Sequence, residues 1–337
     1  MPQIARPTRT VALLAAFALG ILPLRALATP HAAAQQPARI FRVGVIVQGG
    51  PSYYSLIDGL REGLKALGLE EGKHVVLDIR DTKGDLAAVE AAAKTLEQER
   101  IDLIFTGATS VTLAAKRATA RVPMVFYAAT DPVVVGLVES FAKPGGRLTG
   151  IYSQGTDLTG KRLQLLKEIL PKLRRVVTFY DPKNRSAQES VKQAREAARQ
   201  LKVEVIERRV ASVEELQAGV RALRKGEADA YLFLADAMIT SQAKLVIDTA
   251  NAKGLATMAT DPALVAIGAL AAYGASFREA GRQAARHVQR ILAGTRPQDL
   301  PVEAVDRVGL SLNLRTEKAL GLTIPQSVLV RADELVR

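Results

Sequence analysis

Residues 101–132 read IDLIFTGATSVTLAAKRATARVPMVFYAATDP, and this stretch decides the fold class. A short apolar run (IDLIFT) ends in a Thr-Gly-Ala-Thr-Ser turn, a helical segment follows at residues 110–119, and a second apolar run (VPMVFYA) closes on Ala-Thr-Asp-Pro. Strand, helix and strand in this order form a βα unit, and such units in series build parallel sheets with right-handed crossovers. Upstream the pattern repeats, with strands at 41–47 (FRVGVIV) and 75–80 and amphipathic helices at 55–67 and 85–99, the latter capped by Asp85.

Downstream, turn residues cluster at 143–147 (KPGGR) and residues 148–152 form a candidate crossing strand. A second series then begins. Helices at 158–170, 187–201, 213–224 and 239–253 alternate with strands at 175–180, 203–206, 228–234 and 254–259. A strand at 269–273, a helix at 277–292, a Pro-bearing connection at 294–301 and a strand near 308–314 complete it. The predicted fold is therefore α/β, two Rossmann-like lobes with parallel sheets joined by a hinge. The approximate division gives residues 40–149 and 276–304 to one lobe and 150–275 and 305–337 to the other.

Ala-Thr-Asp-Pro occurs twice, at 129–132 and 259–262, each time after an apolar run. Proline halts the strand and holds the preceding Asp in an extended or turn conformation, so Asp131 and Asp261 belong at carboxyl ends of strands, the edge where open parallel sheets bind ligands. Asp236 ends another apolar strand, and all three acids are candidate partners for an ammonium group. Thr109 and Ser110 open a helix and offer hydroxyls beside free backbone amides, a site suited to a carboxylate. Ser52, Tyr53 and Tyr54 follow the first strand, where the two tyrosines supply stacking or hydroxyl contacts. Each of these has a structural alternative: turn-making for the acids, N-capping for Thr109 and Ser110, and packing into the first helix for one tyrosine.

Several functions are excluded. The formal charge is +12, yet the basic residues alternate with Glu and Ala along helices, aromatics are few and Trp is absent, so nucleic-acid binding is not expected. The segment 155–161 (GTDLTGK) has phosphate-loop spacing, but Arg162 stands where that motif needs Ser or Thr. The chain has no Cys and three His (His31, His74, His287), none spaced as metal ligands, so no metal, cofactor or catalytic triad is expected. Arg6 and Arg9 precede the apolar run 11–24 (VALLAAFALGILPL), which has the length of a secretory signal core. Cleavage is expected near residue 28 or 34, giving an exported chain without a lipid-anchor Cys and without membrane insertion.

Short motifs in a fixed order add a family resemblance: 59–73 (GLREGLKALGLEEGK), 78–84 (DIRDTKG), Asp131-Pro132 with Gly136-Leu137-Val138, 143–150 (KPGGRLTG), Gly281-Arg282-Gln283, 291–297 (ILAGTRP) and Ser311-Leu312-Asn313-Leu314. From about residue 42 to the C-terminus the chain resembles ABC transporter substrate-binding proteins of the type I periplasmic-binding fold, in the subgroup whose better-known members bind aromatic amino acids. The resemblance implies a periplasmic, monomeric, non-enzymatic receptor that takes a small polar solute in an interlobe cleft and delivers it to a permease driven by an ATPase. It also implies a site made of Thr109, Ser110, Thr130, Asp131, the loop after strand 175–180 (Tyr180, Arg185, Ser186), Asp236 and Asp261. Tyr180-Asp181-Pro182, Asp236-Ala237 and Arg185 depart from the family pattern, which leaves the ligand open. An exported enzyme using strand-end Asp residues and a ligand-sensing regulatory module of the same fold are the alternatives.

Overall fold

The computed structural model describes residues 39–337, so the leader expected before residue 35 lies outside the described residues. In chain order the first half runs β1 (Phe41–Val47), α1 (Pro51–Ala66), β2 (Val75–Asp81), α2 (Leu86–Gln98), β3 (Leu103–Thr106), α3 (Thr109–Ala118), β4 (Met124–Ala128) and β5 (Leu148–Tyr152). Next come α4 (Thr159–Ile169), β6 (Arg175–Tyr180), α5 (Arg185–Leu201), β7 (Glu204–Arg209), α6 (Val213–Arg221), β8 (Ala230–Leu232), α7 (Ala237–Ser241), α8 (Ala243–Ala252), β9 (Ala256–Ala259), α9 (Pro262–Ala266) and β10 (Ala271–Gly274). The chain ends with α10 (Phe277–Leu292), β11 (Glu303–Ala304), β12 (Gly309–Asn313), α11 (Leu314–Ala319), α12 (Gln326–Leu329) and β13 (Glu334–Val336).

The strands form two sheets, ordered β11-β5-β4-β3-β1-β2 and β13-β12-β10-β9-β8-β6-β7. All pairings are parallel except β12 on β10, where Ala271 opposes Leu312 and Gly274 opposes Gly309. This departs from the all-parallel expectation: between β10 and β12 the chain leaves for the other sheet through α10 and β11, and it re-enters the second sheet from there in the direction opposite to β10. The sequence period places β6 between two cores: Val176 and Tyr180 face the helices α4 and α5, while Val177 and Phe179 face α6 and α8. A third core fills the first sheet and reaches the far end of the chain through Phe277, Ala280, Ala284 and Val288 of α10.

Glycines let α10 and α1 approach each other backbone to backbone. A Cβ at Gly59 would lie 1.8 Å from the Arg278 carbonyl oxygen, and one at Gly281 would lie 2.0 Å from that of Leu56. Backbone therefore meets backbone, and around the seam Glu62 pairs with Arg278 and, at 2.6 Å, with Arg282. The chain crosses between the sheets after β5, between β10 and α10, and after β11.

Gly281→Ala tests this seam. Alanine gains about 1 kcal/mol of helix propensity, but the overlap with a main-chain carbonyl forces the helices apart, so the net effect should be a loss of about 1–3 kcal/mol. Urea unfolding should show a lower midpoint at unchanged slope; equal or greater stability would mean that the helices separate at little cost.

Candidate functional site

A cleft between the two sheets narrows to a cavity of about 40 Å³. Its walls come from the carboxyl ends of strands in both sheets. The first sheet gives the turn Gly107–Ala108 with Thr109 and Ser110, the strand end Tyr127 and Ala129, and Tyr53 from the start of α1. The second gives Asn184 and Ser186 at the head of α5, Asp236 after β8, and Thr260 after β9, while Arg162 projects from α4 and Phe277 from the head of α10.

The N-terminal end of α3 has no side-chain cap. The N-cap of α3 is Ala108, and the backbone N–H groups of Thr109, Ser110 and Val111 have no partner among the described residues. The Thr109 hydroxyl accepts bonds from the Ala129 and Thr130 amides at 3.0 and 3.3 Å, tying α3 to the end of β4. Small residues before the helix leave its positive end open to the cleft.

On the facing wall, Asp236 is 2% exposed and accepts from the amides of Asp181, Met238 and Ile239 at 2.9, 3.0 and 3.4 Å. Burial pushes its carboxyl up to about 6, against the lowering effect of those amides. Burial likewise raises the Tyr53 phenol well above its usual range. The ring of Tyr53 meets Phe277 edge-on at 5.6 Å, and Tyr127 tilts against the same ring at 4.7 Å, so three aromatics share one wall. Arg162 is buried, and loss of hydration lowers its guanidinium to about 10, still cationic at neutral pH.

Of the residues singled out from sequence, Tyr53, Thr109, Ser110, Ser186 and Asp236 meet on the cleft wall. Thr130 stands just behind it, its hydroxyl bonded to that of Ser186 across the cleft at 2.5 Å. Ser52 and Asp261 are buried beneath the wall; Asp261 accepts from the Phe277 amide at 3.3 Å and so fixes the head of α10. Four lie elsewhere. Tyr54 is on the outer face of α1 and donates to Asp81. Asp131 turns back on its own loop, accepting from Val133 and Val134. Tyr180 points away to Glu207, and Arg185 is exposed with its guanidinium 3.4 Å from the Val135 carbonyl. The two copies of Ala-Thr-Asp-Pro are thus not equivalent: the first is a turn and the second a buried brace.

Sequence reasoning passed over Tyr127, Arg162, Asn184 and Phe277. The signal for Arg162 was present, since it falls at helical spacing with Thr159, Leu163, Leu166 and Ile169 on the buried face of α4. For Phe277 there was none, because its place depends on α10 crossing from one sheet to the other.

The chain matches the family described as ABC transporter substrate binding protein over residues 42–336. It is 27% identical to a tyrosine-binding protein of Clostridioides difficile over 272 residues, 81% of this chain and 78% of that one. A Streptococcus pneumoniae domain solved in complex with L-Trp superposes with a TM-score of 0.79 at 24% identity, covering 88% of this chain and all of that one, a likeness of fold. A ligand-free, open substrate-binding protein from Clostridium difficile, 25% identical, gives 0.59 over 88% of this chain and 99% of the other.

The buried acids predict a pH signature. Burial also raises Asp261 to about 6, against the Ser52 hydroxyl and nearby amides. A folded-state value above the unfolded one means that ionisation of this group costs stability above pH 6, and that the cost is relieved as pH falls toward about 4. Between pH 7 and pH 5 the ligand-free protein should gain about 1 kcal/mol from this group, and Asp261→Asn should lose that gain. Thermal unfolding of both proteins across this range checks it; parallel curves would show that Asp261 titrates normally.

Proposed function

The chain belongs to the ABC transporter substrate-binding protein family, and we propose that it is the periplasmic receptor of an importer, taking an α-amino acid into the cleft between its lobes and presenting it to a permease. The single observation that carries this reading is the pairing, on opposite walls of one cleft, of an uncapped helix end and a buried carboxylate. The free amides of α3 with the Ser110 hydroxyl receive the ligand's carboxylate, and Asp236 receives its ammonium. Tyr53, Tyr127 and Phe277 pack against the side chain. The family resemblance and the tyrosine-binding relative support an amino acid as the ligand.

Capture works by closure of the two lobes. Ligand contacts made by both walls at once favour the closed arrangement over the open one, and no chemical step is needed. The better superposition on the ligand-bound structure than on the open one supports this reading, as do the contacts that only apposed lobes can make. The Thr130–Ser186 hydroxyl bond is one. Gly50 is another: at φ +91°, a Cβ there would lie 2.9 Å from the Ser241 carbonyl across the cleft.

Calorimetry with a panel of L-amino acids tests the proposal, and failure of all of them to bind would overturn it. Ser110→Asp, which sets a negative charge at the helix end, should weaken the bound amino acid by at least about tenfold. Asp131→Ala should leave affinity unchanged. Wild-type affinity in Ser110→Asp would remove α3 from the site.

Affinity should also depend on pH through Asp236. The ammonium pairs only with its ionised form, so protonation below about 6 competes with binding. Between pH 7 and pH 5 the affinity should drop by about tenfold, and Asp236→Asn should bind weakly with a flat profile. A pH-independent wild type would show that Asp236 does not hold the ammonium.

A further inference from the structure

The cleft holds one charge that this reading leaves unmatched. Arg162 is 1% exposed, its Nε donates to the Tyr273 carbonyl at 2.7 Å and its Nη1 to the Gly155 carbonyl at 2.7 Å. Nη2 has no hydrogen-bond partner among the described residues, and Arg162 enters no ion pair there. A guanidinium taken out of water without a counter-charge is strongly unfavourable. Nothing about packing demands it, because the same helical face carries Leu163, Leu166 and Ile169.

Asp236 is the one carboxylate among the wall residues. It already accepts three backbone amides and takes the ammonium in the reading above, while the α-carboxylate goes to the end of α3. The free edge of Arg162 therefore has no anion assigned to it.

We propose that Arg162 is a second anion subsite and that the solute carries a second carboxylate, so that an acidic amino acid binds in preference to its neutral amide. This rests on the amino-acid reading and extends it. The place of Arg162 gives the contact a further effect. Gly155 lies on the connection from β5 to α4, and Tyr273 at the end of β10 just before the chain returns to α10. One guanidinium thus joins two of the three crossings between the lobes, and an anion on its free edge acts directly where the lobes pivot.

Titration calorimetry with L-glutamate against L-glutamine and L-aspartate against L-asparagine isolates the second charge at nearly constant shape. The wild type should bind the better acid at least about tenfold more tightly than its amide. Arg162→Met should abolish that ratio and Arg162→Lys should keep part of it. Amides that bind the wild type as tightly as the acids would overturn the proposal without any variant, so a misfolded Arg162→Met cannot hide its failure. An acid preference that persists in a folded Arg162→Met would overturn it as well. Glutarate, which lacks the ammonium, separates the two readings. Glutarate binding that is lost in Arg162→Met, with no amino acid bound, would support the subsite and remove the amino-acid reading. Amino-acid binding without preference for acids would do the reverse.

Discussion

The structure depends on the direction of its strands. In a parallel sheet every strand delivers its chain to the same edge, so loops, helix N-termini and strand-end side chains accumulate there. Here two sheets, parallel but for the β12–β10 pairing, turn these edges toward one another, and residues far apart in sequence become neighbours: Thr109 beside Ala129 and Thr130, Thr130 against Ser186, Asp261 under Phe277. Small residues on the facing turns, Gly107, Ala108 and Ala129 among them, leave the backbone exposed to whatever enters.

This geometry concentrates polar groups in a place with little water. Asp236, Asp261 and Arg162 are each almost fully removed from solvent, and for each the largest effect on ionisation is lost hydration. None is neutralised by an ion pair among the described residues. The amides around Asp236 and the two carbonyls bound to Arg162 compensate in part. Asp236 and Arg162, which line the cleft, are satisfied by a partner of opposite charge, the arrangement expected of a binding site, whereas Asp261 lies beneath the wall and braces α10.

The main alternation of strands and helices was legible in sequence because the longer elements show their period, whereas short ones such as α9, β11, α12 and β13 do not; the 101–132 stretch contained a whole βα unit with its cleft-facing turn. The candidate site was legible only where it is local. Thr109, Ser110 and Asp236 follow directly from strand ends, whereas Asp131 has the same sequence neighbourhood as Asp261 and a different fate. What separates them is the crossing of α10, which brings the Phe277 amide to Asp261 and nothing to Asp131. No local pattern encodes that. Tyr180 and Tyr54 were misplaced for a related reason: period two and period 3.6 say which face a residue occupies only once the neighbours are known, and here Glu207 and Asp81 claim their hydroxyls.

The aromatic wall makes the molecule its own optical reporter. The chain has seven tyrosines and no tryptophan, so its ultraviolet emission is that of tyrosine alone, and two of the seven, Tyr53 and Tyr127, stand in the cleft against Phe277. Any solute that enters changes the surroundings of those two rings. An indole-bearing solute would also drain their excitation by energy transfer into a spectral region where the protein itself is dark. Occupancy can thus be followed by light without attaching a dye or altering a residue.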